Sequence, residues 1–114
     1  MIVRTAILEG EVKPEDRARF DAFVETEIVP LTTQFPGIKS VRIMRAQSIE
    51  DNGPLLYMTF ESVYESVDAM NHAFTFPIRK ELKAKFAEIM PLFHGRLFHI
   101  TQHLITDEKV AAAK

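Results

Sequence analysis

Residues 95–104, Gly-Arg-Leu-Phe-His-Ile-Thr-Gln-His-Leu, alternate so regularly that they predict a β-strand with two different faces. An apolar face carries Phe98, Ile100 and Leu104, and a mixed face carries Leu97, His99, Thr101 and His103. An antiparallel sheet can bury one face and leave the other for a separate task. We therefore expect the mixed face of this strand to carry the function.

Composition limits the classes of protein to which the chain can belong. Its 114 residues predict one domain over residues 1–106, followed by a flexible tail over residues 107–114. The absence of cysteine excludes disulfides, thiolate nucleophiles and cysteine-based metal sites. A net charge of -2 argues against a nucleic-acid partner. Since no apolar run is long enough for a membrane span, we expect a cytoplasmic protein that does not enter membranes.

The first part of the chain predicts a strand followed by a helix. Branched residues favour a strand over residues 2–8, which Gly10 should end. Pro14 followed by two acidic residues is typical of the first turn of a helix, and apolar residues then recur at helical spacing. Pro30 lies inside this pattern without a backbone N–H, so we expect a kink or an early stop near Val29.

The second part predicts a hairpin, a broken helix and the last strand. Residues 38–45 and 55–60 alternate on either side of a polar loop, so we expect them to pair. Ser62 with Glu65 three residues later has the pattern of a capping box, which predicts a helix starting there. A Phe-Pro pair at residues 76–77 interrupts the helical spacing before it resumes.

This order of elements predicts a ferredoxin-like α+β fold of the βαββαβ type. Right-handed crossovers give an antiparallel sheet with strand order 4-1-3-2 and both helices on one face. The predicted register leaves the other face bare, with six large side chains: Ile2, Leu8, Met44, Leu55, Tyr57 and Leu97. Because so apolar a face needs a cover, we predict a homodimer.

Several short motifs carry a resemblance. Phe-Pro-Gly at residues 35–37 leads into a strand, residues 56–62 read Leu-Tyr-Met-Thr-Phe-Glu-Ser, and Ala-Met at 69–70 precedes the Phe-Pro pair. In these features the chain resembles the dimeric α+β barrel superfamily, first the EthD-like proteins and next the antibiotic biosynthesis monooxygenase branch. The resemblance implies a homodimer whose sheets face each other as a barrel, with a small pocket near each sheet. Ile28 stands where EthD-like sequences usually carry a histidine.

Six polar side chains share the face that this register turns away from the helices: Arg4, Arg42, Tyr57, His99, Thr101 and His103. His99 is the candidate catalytic acid or base because its pKa lies near neutrality, and Tyr57 is the candidate group that orients it. The other four are candidate binding groups for a carboxylate-bearing ligand. The strand order makes the strands of Arg4 and His99 neighbours. The alternative is that these side chains pair across the dimer.

Neither a metal nor a cofactor is predicted. His99 and His103 stand about 13 Å apart at ~3.3 Å per residue, which is too far to share one metal ion. A basic edge on the second helix, made of Arg79, Lys80, Lys83 and Lys85, is interrupted by acidic residues, which favours a solvated surface.

Together these patterns predict a protein that binds a small, partly apolar, acidic or carbonyl-bearing molecule. If it is an enzyme, the resemblance implies cofactor-independent isomerisation or oxygenation in a catabolic pathway. The alternative is a non-catalytic binding or interaction protein built on the same dimer. The pocket could lie on the barrel face or between sheet and helices, near Phe23, Met58, His72 and Phe86.

Overall fold

The computed structural model describes residues 1–112. Its elements are β1 (Ile2–Val12), α1 (Pro14–Phe23), a π-helical turn (Val24–Ile28), α2 (Val29–Thr32), β2 (Ser40–Arg45), β3 (Leu56–Tyr64), α3 (Val67–Ala73), α4 (Ile78–Ile89), a 3-10 turn (Met90–Leu92) and β4 (Phe93–His103). The strands form an antiparallel sheet with the order β2-β3-β1-β4. The predicted ferredoxin-like α+β fold and its sheet order are confirmed.

The central strand β1 is longer than predicted because Gly10 does not end it. Gly10 lies opposite Gly95 of β4, and both have positive φ, 143° and 153°. A Cβ atom on Gly10 would lie 2.2 Å from the carbonyl oxygen of His94. Since only glycine tolerates this close approach of two backbones, the pair lets β1 continue to Val12.

The first helical region begins at Pro14, as predicted. Near Pro30 the helix changes type instead of stopping: the π-helical turn Val24–Ile28 precedes it, and α2 continues to Thr32. A proline cannot donate to the carbonyl one turn earlier, and a local change of helical type accommodates the missing bond.

The predicted helix start at Ser62 is wrong. β3 continues through Ser62 to Tyr64, whose side chain is buried in the core. The N-cap is Ser66, whose Oγ accepts a hydrogen bond from the backbone nitrogen of Ala69 over 3.1 Å. This part of β3 pairs with a strand on each side, and that tertiary pairing prevails over the local capping pattern.

The core lies between the helices and one face of the sheet, in two clusters. The first contains Leu8, Val12, Phe20, Val24, Ile28, Tyr57, Met58, Phe60, Ile89 and Phe93. The second contains Ile2, Phe35, Tyr64, Met70, Ala73 and Ile78. Strand residues of both clusters therefore point toward the helical layer.

The predicted assignment of the two sheet faces is wrong for most positions. Ile2 and Leu8 are buried beneath the helices, and Leu97 lies opposite Leu8 on that covered side. We call the face that points away from the helices the open face. It carries Val3, Ile7, Met44, Val63, Phe98 and Ile100, and Met44 is the member of the predicted six that lies on it. Both sides of these strands carry large apolar residues, so alternation predicts two faces without predicting which one is covered.

Residues 104–112 contain neither helix nor strand. The predicted flexible tail includes Ala113 and Lys114, which lie outside the described residues, and its flexibility stays a prediction. Within residues 1–112, none of the helices combines the length and the apolar character needed to span a membrane.

Candidate functional site

A small pocket lies between the sheet and the helical layer, where its wall is formed by α4, the end of α2 and Phe74 directly after α3. Its volume is about 90 Å³, room for about three water molecules at ~30 Å³ each. We call it the Arg4 pocket, and it is lined by Arg4, Ala6, Thr32, Phe35, Phe60, Ser62, Tyr64, Phe74, Leu82, Phe86 and His99. Mostly apolar walls with a few polar groups are typical of small-molecule sites.

Arg4 supplies a positive charge inside this pocket. It lies half-buried on β1, with its guanidinium carbon 4.8 Å from the centroid of the Phe74 ring. Arg79 of α4 places its guanidinium carbon 4.5 Å from the same centroid. Burial lowers the pKa of Arg4 and the charge of Arg79 lowers it further, while Tyr64 opposes the shift. The guanidinium nevertheless stays charged, so two cations share one aromatic ring.

His99 lies at the rim of the same pocket, on β4. In the register of β1 and β4, Arg4 and His99 are diagonal neighbours on one face of the sheet. The residue as a whole is exposed, but partial desolvation against the pocket lowers the pKa of His99, and the charges of Arg4, Arg79 and Lys83 lower it further. The imidazole is therefore neutral at neutral pH and able to accept a proton.

The cations around the pocket form no ion pair with an acidic side chain of residues 1–112. Among the ion pairs formed by residues 1–112, none includes Arg4, Arg79 or Lys83. A cation partly removed from water without a partner costs free energy, which a bound anion offsets. Over the same residues, no group of three or more histidine, aspartate or glutamate side chains is placed to hold a metal ion. The arrangement favours an anionic ligand.

Two of the six predicted site residues, Arg4 and His99, meet in this pocket. They do so on the side of the sheet that faces the helices, opposite to the side predicted. Thr101 and His103 lie on the same side of β4 by alternation, but they are exposed and do not line the Arg4 pocket.

The remaining two predicted residues have partners elsewhere. Arg42 lies on the open face, where its Nη2 donates to Oε1 of Glu61 over 2.7 Å. The hydroxyl of Tyr57 donates to Oδ1 of Asp21 over 2.5 Å, and Arg45 donates to the other oxygen of that carboxylate. Tyr57 and His99 line different cavities, so the expected contact between them is not formed.

A β-bulge explains the placement of Tyr57. The register between β1 and β3 shifts at one point, because Leu8 lies opposite Met58 whereas Glu9 lies opposite Leu56. Tyr57 is the extra residue, and it joins Met58 in the core. Strict alternation, on which the predicted face of Tyr57 depended, fails at a bulge.

A larger and more open cavity, which we call the Asp21 groove, runs between α1, the π-helical turn, β2 and the loop before β3. Its volume is about 1040 Å³. Burial raises the pKa of Tyr57 to about 12, the hydrogen bond and charge of Asp21 add to the rise, and Arg45 opposes it. On the wall of the groove the carboxylate of Asp21 accepts hydrogen bonds from both Tyr57 and Arg45. We interpret this cluster as a structural link between α1 and the sheet.

The sequence patterns did not indicate that α4 brings Arg79 and Lys83 near the pocket. The predicted solvated basic edge contains both residues, and of these Lys83 is exposed whereas Arg79 is half-buried. The sequence signal is the spacing of four residues between Arg79 and Lys83, which puts both on one side of a helix. No sequence pattern indicated that Arg4 of β1 points toward α4.

Comparison with known proteins agrees with the architecture. No protein-family model and no curated protein matches the sequence. A solved structure of an ethyl tert-butyl ether D (EthD) family protein from Bacillus halodurans C-125 has a TM-score of 0.70 and 22% sequence identity. That match covers 92% of this chain and 99% of the other.

Two further structures are of candidate antibiotic biosynthesis monooxygenases. One, from Deinococcus radiodurans, has a TM-score of 0.66 and 12% identity, covering 98% of this chain and 100% of the other. The second, from Caulobacter crescentus CB15, has a TM-score of 0.64 and 22% identity, covering 92% and 90%. The chain has the fold of these proteins. The resemblance predicted from the sequence is confirmed at this level, and at such identities the reaction must be argued from the site.

Proposed function

We propose that the protein binds a small, partly apolar acid in the Arg4 pocket. The observation that carries this proposal is a half-buried arginine on an aromatic wall, with no carboxylate among residues 1–112 in an ion pair with it. The acid group would accept hydrogen bonds from the Arg4 guanidinium, and the apolar part would lie against rings such as Phe74 and Phe86. A cavity of about 90 Å³ suits one end of a compact molecule.

The chemistry that this geometry supports best is proton transfer next to a carbonyl group. Neutral His99 would take a proton from the carbon beside the carbonyl, and the electron pair would move to an oxygen stabilised by Arg4. Return of the proton to another carbon gives an isomerisation, whereas attack of the carbanion on dioxygen begins an oxygenation without a cofactor. The fold shared with candidate monooxygenases supports including the second outcome.

The proposal also includes a cytoplasmic homodimer in which a second copy covers the open face. Support comes from the apolar side chains there, of which Ile100 is 39% and Met44 40% exposed. Covering them by an identical face removes apolar surface from water on both copies. The Arg4 pocket would remain accessible in such a dimer, because it lies on the opposite side of the sheet.

The test compares isosteric acids and amides by isothermal titration calorimetry. Wild type should bind butyrate and benzoate, and it should bind butyramide and benzamide more weakly. Arg4→Met should weaken acid binding by roughly 1.5 to 3 kcal/mol, as expected for the loss of a charge-assisted hydrogen bond. Arg19→Met, at an exposed position on α1, is the control and should bind like wild type.

Two results would contradict the site. Equal affinity for acids and amides would remove the role of Arg4 as an anion receptor. Loss of binding in Arg42→Met but not in Arg4→Met would place the ligand on the open face. Catalysis is tested separately by deuterium uptake next to the carbonyl of 2-oxobutyrate in D2O. His99→Gln should stop the exchange in a folded protein, and binding without any exchange would favour a non-catalytic binding protein.

A further inference from the structure

We infer that the ligand of the Arg4 pocket carries two negative charges, as a small dicarboxylate does, and that Arg79 and Lys83 of α4 receive the second charge. This inference rests on the proposed function and specifies its substrate class. It depends on three features of the molecule: the excess of cations, their arrangement on two elements, and the size of the pocket.

The excess of positive charge is larger than a single acid group would balance. Arg4 comes from β1, and Arg79 and Lys83 come from α4. None of the three is in an ion pair with an acidic residue of the described chain. One carboxylate bound at Arg4 would leave the half-buried Arg79 without a counter-charge, with the exposed Lys83 beside it on the same helix. A second carboxylate on the same ligand balances this charge, and its attraction to Arg79 and Lys83 increases the affinity.

The cations form two subsites that share one aromatic ring. Arg4 and Arg79 both contact Phe74, with guanidinium carbons 4.8 and 4.5 Å from its centroid. Arg79 and Lys83 are four residues apart on α4, so their side chains leave the helix on the same face. Arg4 lines the pocket, whereas Arg79 and Lys83 do not. A molecule with acid groups at both ends therefore fits with one end inside and the other at the rim, its carbon chain against Phe74.

The volume of the pocket sets the size of the buried end. About 90 Å³ admits a carboxylate with one or two carbon atoms and excludes a large aromatic skeleton. A phosphate or sulfate ion also carries two charges, but it concentrates them at one point and has no carbon chain to lie against the apolar walls. A compact dicarboxylate is the ligand class that fits the charge of the site, the placement of its cations on two elements and the volume of the pocket.

The experiment compares pairs of acids that share a carbon skeleton, using calorimetry at low ionic strength. The pairs are butyrate with succinate and crotonate with fumarate, and inorganic phosphate is a third arm. Wild type should bind each diacid about tenfold or more tightly than its monoacid partner, and this preference should shrink as salt is added. Phosphate should bind more weakly than succinate.

Variants of α4 test the second subsite. Arg79→Met and Lys83→Met should each lower the affinity for succinate far more than that for butyrate. Lys80→Met is the matched control, since Lys80 is exposed on the same helix but points about 100° away from Arg79. It should keep the full preference for diacids. Circular dichroism of all three variants checks that the helix is intact.

The outcomes separate this inference from the proposed function. Equal binding of succinate and butyrate would overturn the inference and leave the proposed acid site standing. A diacid preference that survives in Arg79→Met and Lys83→Met would overturn the assignment of the second subsite, as would phosphate binding as tightly as succinate. If neither monoacids nor diacids bind, the proposed function fails and the inference fails with it.

Discussion

The hydroxyl of Tyr57 on β3 donates a hydrogen bond to Oδ1 of Asp21 on α1 over 2.5 Å. The ring of Tyr57 packs edge-on against Phe20 at a centroid distance of 5.5 Å. Tyr57→Phe should keep this packing and lose only the hydrogen bond. We expect the free energy of unfolding, measured by urea denaturation, to fall by about 1 to 2 kcal/mol. Acid binding in the Arg4 pocket should not change, because Tyr57 lies in the other cavity.

The same variant has a pH signature. Burial, with help from Asp21, raises the pKa of Tyr57 to about 12 in the folded protein, above the value of about 10 expected for an unfolded chain. The contribution of the protonated phenol is therefore complete below about pH 10 and is lost as the pH rises toward 12. Wild type should lose stability more steeply than Tyr57→Phe over this range. Parallel curves for the two proteins would contradict the assignment.

The pair Gly10 and Gly95 should be intolerant of any side chain. In Gly10→Ala the new methyl group would lie 2.2 Å from the carbonyl oxygen of His94, so β1 and β4 would have to separate. We expect a loss of more than about 3 kcal/mol or failure to fold, measured by thermal and urea unfolding. Gly37→Ala is the matched control, since Gly37 also has positive φ but no atom within 4 Å of a new Cβ. Its cost should be only about 1 kcal/mol.

The start of α3 is tested by two serine variants. Ser66→Ala removes the oxygen that accepts the hydrogen bond from the Ala69 backbone nitrogen, and it should destabilise the protein by about 1 kcal/mol. Ser62→Ala should cost less, since Ser62 lies in β3 and caps no helix. Differential scanning calorimetry of both variants decides between the two positions. A larger loss for Ser62→Ala would restore the cap predicted from the sequence.

The overall fold was predictable because its signals are redundant. Helix spacing after Pro14, the alternation around Phe98 and the handedness of crossovers lead to the same strand order. The residues that contradicted the predictions are those where tertiary contacts override local ones. By propensity Gly10 should end a strand, but β1 continues through it because Gly95 lies opposite. Ser62 has the pattern of a helix cap, but it lies in a strand that is paired with its neighbour.

The candidate site was predictable only in part. The proximity of Arg4 and His99 followed from strand order alone, without knowing which face the helices cover. That face depends on which of two apolar surfaces packs against α1 and α4, a property of the whole sheet rather than of one strand. Tyr57 was misplaced because a bulge inserts one residue into β3 without leaving a sequence pattern that alternation can detect.

The titration of His99 tests the electrostatics of the Arg4 pocket directly. Partial desolvation against the pocket wall is the main cause that lowers the pKa of His99, and the charges of Arg4, Arg79 and Lys83 add to it. An NMR titration should therefore give a pKa below the ordinary value of about 6.5. Arg4→Met should raise it without restoring that value, because burial remains. Adding succinate to wild type should also raise it, since a bound anion stabilises the imidazolium.

The open face provides the last test. An aspartate in place of Ile100 would put an unpaired charge within the proposed dimer interface, where desolvation costs several kcal/mol. Ile100→Asp should be a folded monomer at micromolar concentrations at which wild type is a dimer, as measured by light scattering across a dilution series. Val67→Asp is the matched control: Val67 is 41% exposed, against 39% for Ile100, but it lies on α3 in the opposite layer. The control should remain dimeric, since an acid in the first turn of a helix is favourable.

Wild type that is monomeric over the whole series would exclude the barrel arrangement. A dimer that survives Ile100→Asp but not Val67→Asp would show that the helical layer, and not the open face, forms the interface.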